Sequence, residues 1–227
     1  MIYLLGDTEP GAIPKACTRL RDALLEAGPR LVDAGARRTS FTVADLDDPL
    51  AEGVTQLNAH GLLDAKVALW VDSIDGRKDI EAILEPLAAR SAGYLVTESI
   101  PRDYAQRDWK DGERSPGVAL VTSFPKPDRL DDDFFFERWH GSHTPLSLEI
   151  HPLLHYVRNT VARVLTPGAP PFRAIVNESV ATLEIAADPV QFNGSAEGAR
   201  RAGEDLMQFV DFKTLSTVLM SEYILQS

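Results

Sequence analysis

The chain predicts an α+β protein made of one set of six elements used twice, β-α-β-β-α-β and then the same order again. Three observations predict it. Apolar residues switch between alternation and helical spacing in the same sequence in each half. A charged, polar stretch, Arg102–Pro116, ends in Pro-Gly and divides the two runs. The 227 residues, 44% apolar and 25% charged, have the composition of a globular protein with length enough for a large core.

The elements follow in order. Ile2–Leu5 is a short apolar strand. Ala16, Leu20, Ala23, Leu24, Ala27 and Leu31 recur at helical spacing, with Pro14 suited to the first turn and Gly28-Pro29 marking the far end. Arg38–Leu46 alternates polar and apolar residues as a half-buried strand does, and Asp47-Asp48-Pro49 ends it. Lys66–Val71 is the third strand. Ile80, Ile83, Leu84 and Leu87 mark an amphipathic helix, and Tyr94–Ile100 is the fourth strand.

In the second half, Val118–Phe124 is a strand that runs into prolines 125 and 127. Asp131-Asp132-Asp133 is an acidic helix start, since carboxylates satisfy free N–H groups and favour the positive helix end. His155–Leu165 and Ala174–Ile185 read as strands, Ala196–Phe209 as a helix and Ser216–Leu225 as the closing strand. Tyr94–Ile100 resembles Val218–Ile224 in pattern, and Lys66–Val71 resembles Ser179–Glu184.

A βαββαβ unit is the ferredoxin-like arrangement, an antiparallel sheet with both helices on one face. Its other face is bare, and a tandem copy covers it. The expected architecture is therefore two ferredoxin-like units with sheets packed face to face as a barrel within one chain. The expected boundaries are residues 1–104, a linker at 105–116 and residues 117–227, with Trp109 of the linker packing onto a sheet.

The net charge of −11 repels phosphates, so nucleic acids and anionic membranes are poor partners. Cys17 is the single cysteine, which fits a reducing compartment. The N-terminus reads as a strand without a basic leader, and no run reaches membrane-spanning length. The expected location is cytoplasmic.

Four of the five histidines, His140, His143, His151 and His155, fall within sixteen residues, beside Trp139 and Tyr156. Imidazole titrates near neutrality, and the aromatic neighbours point to an apolar ligand. His140/His143 and His151/His155 have spacings that chelate metals on a helix, but Pro145 and Pro152 interrupt any such helix, and no metal site is expected. No glycine-rich phosphate loop is present. Cys17 reads as core.

The run Phe136-x-x-Trp139-x-x-x-His143-x-Pro145-Leu146, followed by Pro152, Tyr156 and Asn159, resembles the signature of EthD-type proteins of the dimeric α/β-barrel superfamily. Phe209-x-Asp211 and Ser221-Glu222-Tyr223 fall where that family has an Asp and a Glu. The resemblance covers residues 117–227. Residues 1–104 share only the element order, and His60 lies elsewhere, so the chain resembles a fused pair with one equipped and one degenerate half.

The resemblance implies a small apolar or aromatic ligand held between sheet and helices. Relatives include a methylmuconolactone isomerase, polyketide decarboxylases and cyclases, and a protein linked to ether degradation; others in the superfamily bind haem. It implies His143 as catalytic acid or base, with Tyr156 stabilising an oxyanion. Trp139, His140, Phe135, Arg158, Asn159 and Glu222 are the expected substrate contacts, though Trp139 serves equally as a plug between helix and sheet. Strand alternation puts Tyr156 and Arg158 on one face and Asn159 on the other. Asp211 or Glu222 either anchors a loop or bonds the histidine.

The leading expectation is cofactor-independent acid–base chemistry of isomerase, cyclase or decarboxylase type on an apolar carbonyl or aromatic compound. The alternatives are a non-catalytic ligand-binding or stress-type protein and a haem- or oxygen-dependent oxidoreductase. The working unit is expected to be a monomer with an internal pseudo-dimer, or a homodimer.

Overall fold

The computed structural model describes residues 1–54 and 56–227. The strands are β1 (Ile2–Gly6), β2 (Arg37–Val43), β3 (Leu57–Asn58), β4 (Ala65–Trp70), β5 (Arg90–Arg102), β6 (Val118–Pro125), β7 (Leu153–Val164), β8 (Phe172–Val180) and β9 (Ser216–Ile224). All their pairings are antiparallel, in the order β2-β4-β1-β5-β7-β8-β6-β9, and β9 returns to pair with β2. The short β3 adds to the outside of β9 through Leu57↔Thr217.

Eight strands thus close on themselves, which leaves no long open edge. The first half lies in the order second-third-first-fourth strand, and the second half repeats it. The sequence predicts two sheets facing each other. The structure instead joins them along both edges, β5 to β7 (Thr97↔Thr160) and β2 to β9 (Thr42↔Glu222), so the sheet is continuous.

Period-two alternation sorts the side chains. Ile2, Leu4, Tyr94, Val121, Val161, Ile175, Val218 and Met220 point inward and form a lumen core drawn from both halves. Tyr3, Leu5, Phe41, Val43, Val67 and Leu69 point outward under α1 (Thr18–Asp33) and α3 (Arg77–Leu84). The second half is covered by α4 (Asp132–Phe136), a π-helical segment (Glu137–His143), α5 (Thr144–Ile150), α7 (Pro189–Phe192) and α8 (Ala196–Phe209), over Phe124, Ala174, Val176 and Val180. The remaining short helices are α2 (Pro49–Gly53) and α6 (Leu183–Ala187).

Several expected boundaries move. Helix α1 starts at Thr18 rather than near Pro14, and Cys17 precedes it. Pro29 lies inside the helix instead of ending it. An interior proline costs about 3 kcal/mol, whereas each of the fully buried Leu24 and Leu31 on either side returns about 1.5–3 kcal/mol. The stop is Gly35, whose φ of 90° allows the N–H of Ala36 to reach back to Leu31.

Pro145 does not end its helix either. Thr144 donates both its N–H and its Oγ1 hydrogen five residues back to the Trp139 carbonyl, and the widened π turn admits the proline ring at the start of α5. Strand β8 ends at Val180, and Leu183–Ala187 is helical, so the match of Lys66–Val71 with Ser179–Glu184 is displaced. In the strand order β8 holds the place in the second half that β4 holds in the first. Trp109 packs edge-on against Tyr104 of its own segment, with centroids 4.9 Å apart.

Among the described residues no helix is long and apolar enough to cross a membrane.

Candidate functional site

Helix α8 has Ala202, Asp205 and Phe209 on its buried face. This stripe lies against the π-helical segment, and between the two helices and the outer face of β6, β7, β8 and β9 is a cavity of about 380 Å³. Its walls are mostly apolar: Leu120, Phe124, Trp139, Val176, Ala202, Leu206 and Phe209. The polar groups that reach it are His143, His151, Tyr156, Glu178 and Asn193, with the hydroxyls of Thr122 and Thr217. Its size and apolar walls with few convergent polar groups suit a small organic molecule.

His143 closes the π segment. Its Nδ1 lies 3.0 Å from Asp205 Oδ2, and Ser142 Oγ donates to the other carboxylate oxygen at 2.8 Å. Burial works to raise the Asp205 pKa, but the bonds from His143 and Ser142 outweigh it and hold the carboxyl below its ordinary value. An ionised Asp205 fixes the hydrogen on Nδ1, which leaves Nε2 as the lone-pair nitrogen. Phe209 packs on the ring at 5.4 Å.

Tyr156 is 1% exposed. Burial, and then the charge of Glu178, push its phenol well above the ordinary value, so it is a neutral O–H donor. Its oxygen lies 3.4 Å from Thr144 Oγ1. That oxygen gives its hydrogen to Trp139 and already accepts from Arg158 at 2.7 Å. The Tyr156 hydrogen is therefore only loosely committed.

A second constellation shares the cavity. His151 caps α5, with Nε2 3.1 Å from Asn193 Oδ1 and Nδ1 3.5 Å from Glu178 Oε1. Gly198 lets Asn193 come this close, since a Cβ there would lie 2.0 Å from the Asn193 carbonyl oxygen.

The expected site residues are divided among three environments. His143, Tyr156 and Trp139 share the cavity wall. Phe135 does not line it; fully buried, it packs among Phe124, Trp139 and Phe209 as core. Arg158 and His140 sit behind the wall. Burial, and then Arg158, pull the His140 pKa down to about 4, so the ring is neutral. Asn159 and Glu222 point into the lumen, on the far side of the sheet, as does His155. A closed sheet separates its two faces, so these three residues do not meet His143. The histidine cluster is a cluster in sequence only, and among the described residues no three His, Cys, Asp or Glu side chains are grouped to hold a metal ion.

Asp211 makes a turn, accepting from the Lys213 N–H at 3.0 Å, and Glu222 is remote. The partner of His143 is Asp205, which sequence reasoning missed. Its one signal was a carboxylate on the apolar stripe of a strongly amphipathic helix.

Residues 127–213 match the EthD domain family, the segment that contains Trp139, His143 and Tyr156. A crystal structure of an ethyl tert-butyl ether d (EthD) family protein from Bacillus halodurans C-125 is 21% identical, covers 45% of this chain and 95% of its own, and superposes with a TM-score of 0.37. An anthrone oxidase-like protein is 12% identical, covers 100% of this chain and 92% of its own, and has a TM-score of 0.57, a likeness of overall fold. No curated protein matches the chain.

Proposed function

We propose that the protein is a small-molecule enzyme that moves protons on an apolar carbonyl or aromatic compound bound in the cavity between α8 and the sheet. One observation carries this reading: an Asp-oriented histidine, His143 on Asp205 at 3.0 Å, in the wall of a mostly apolar cavity of about 380 Å³. In the proposed step Nε2 of His143 takes a proton from a carbon next to a carbonyl. The C–H pair moves into a C=C bond and the carbonyl π pair onto oxygen. Asp205 steadies the imidazolium that forms, and Tyr156 donates its hydrogen to the enolate oxygen. Return of the proton to a different carbon completes an isomerisation; attack of the enolate carbon on a second carbonyl closes a ring, and in a decarboxylation the loss of carbon dioxide from a β-keto acid itself gives the enolate, which protonated His143 then quenches. The step draws on no cofactor.

The EthD match over residues 127–213 and the open cavity beside His143 support an occupied site over a filled, non-catalytic one. The anthrone oxidase-like relative keeps a second reading in play, oxygen-dependent oxidation of an aromatic substrate. A Soret band after reconstitution with haem supports a haem form of that reading. The repeated strand order supports a tandem pair of ferredoxin-like units divided at residues 105–116, with the second unit equipped. The proposed working unit is a single cytoplasmic chain, since the barrel closes without a partner.

The test is solvent deuterium exchange, followed by NMR, at carbons next to the carbonyl in a panel of lactones, cyclic enones and aromatic ketones. At least one compound exchanges with the wild type, and H143A and D205N lose roughly 10²–10⁴-fold in rate. An H143A variant that exchanges its compound as fast as the wild type overturns the reading.

A further inference from the structure

The lumen holds a different kind of site. Part of it is packed with Leu4, Tyr94, Val121, Phe172 and Ile175. Next to these, inward-facing Lys66, Asn159, Asn177 and Glu222 line a pocket of about 300 Å³. Lys66 on β4 is 4% exposed. Its one hydrogen-bond partner among the described residues is Asn177 Oδ1 at 3.3 Å, and no carboxylate is within ion-pairing distance. The Asn177 amide passes on to Glu222 Oε1 at 3.4 Å. Glu222 also accepts from Tyr104 at 2.7 Å and lies 3.7 Å from His155 Nδ1. Tyr104 stacks on His155 across the mouth, at 4.5 Å. Beside it, the 48% exposed Trp70 marks where the pocket meets solvent, with Arg38 over its ring.

An amine buried without a counter-ion is costly to keep, and an apolar side chain would fill the space at lower cost. Burial brings its pKa down to about 8, against the pull of Glu222 and Glu98. A free-base fraction is therefore present at neutral pH, as an amine nucleophile requires.

We propose that this lumen pocket is a second site, which takes small carbonyl compounds and condenses them with Lys66 as an imine. The Nζ lone pair attacks the carbonyl carbon, a C–N bond forms, and the π pair goes to oxygen. Nitrogen gives up two protons to that oxygen: the first forms the carbinolamine, and the second goes with the hydroxyl, which leaves as water as the C=N bond forms. Atoms and charge balance with no oxidant or reductant. The 300 Å³ volume limits the partner to a small aldehyde or ketone, and Asn159 and Glu98 give it polar neighbours.

The test treats the full-length chain at pH 7 with benzaldehyde and sodium cyanoborohydride, which reduces an imine to a stable amine, and reads each lysine by peptide mass spectrometry. Lys66 is expected to label at least roughly tenfold faster than any exposed lysine, because a larger share of it is free amine. The preference disappears in concentrated urea. In K66R the exposed lysines label as before. Labelling of Lys66 in the folded chain no faster than that of the exposed lysines overturns the proposal, whether or not K66R folds. Loss of exchange activity in H143A leaves this labelling unchanged, so the two sites fail independently.

Discussion

Replacing Lys66 with methionine removes a buried charge while keeping the length of the side chain. Lys66 has an ordinary pKa of 10.5 and a folded value of about 8, with burial the main cause. A shift of that size corresponds to about 3 kcal/mol of penalty for holding the ammonium in the lumen. One hydrogen bond to Asn177 returns about 1 kcal/mol, so K66M is expected to be more stable than the wild type at pH 7 by about 2 kcal/mol. The advantage is pH-dependent. Between about 8 and 10.5 the folded amine has lost its proton while the unfolded chain still binds one, so the wild type gains stability as pH rises. From pH 7 to 9.5 that gain is about 2 kcal/mol, and K66M lacks it. The tyrosines raised by burial titrate alike in both proteins and cancel in the difference. Urea unfolding of the two proteins across this range measures it directly. Parallel stability curves for wild type and K66M would falsify the claim that the lumen holds a desolvated amine.

Four further outcomes follow from the cavity. Asp205 has its carboxyl below the ordinary value of 3.8, so its contribution to stability is complete above that pH and drains away as pH falls toward its folded value; D205N should lose that part of the acid limb in a thermal melt series. Gly203 sits in the interior of α8 on the cavity wall, and a Cβ there meets nothing within 4 Å, so G203A should gain about 1 kcal/mol of stability in urea titration. G203L, which fills the cavity, should fold as well but lose at least about tenfold in affinity for an apolar fluorescent probe that the wild type binds. G198A drives a Cβ to 2.0 Å from the Asn193 carbonyl, and it should both destabilise the protein by about 1–3 kcal/mol and free the His151 ring, visible as a changed imidazole resonance.

The β and α elements were legible along the chain because their signals are local. Helix α8 falls where Ala196–Phe209 was expected, and β6 and β9 differ from expectation by a residue each. The repeated strand order was legible for the same reason, since alternation and helical spacing follow the chain. So was the separation of Tyr156 from Asn159, which rests on the pleat alone. The residue run around Trp139 and His143 was enough to point to the EthD family, whose match covers residues 127–213.

Only the folded barrel decided which side chains meet. Asp205 is 62 positions from His143 and finds it because α8 packs on the π-helical segment. The passage of the helix beyond Pro145 depends on Thr144 bonding back to Trp139, a choice that neither residue states by itself. Closure of the sheet through β2–β9 and β5–β7 then places a wall between His143 and Glu222, although both are among the family-like residues of the sequence. That wall sends His151 outward to an apolar cavity and His155 inward to Lys66, because a sheet has two faces and sequence spacing does not say what each face will meet.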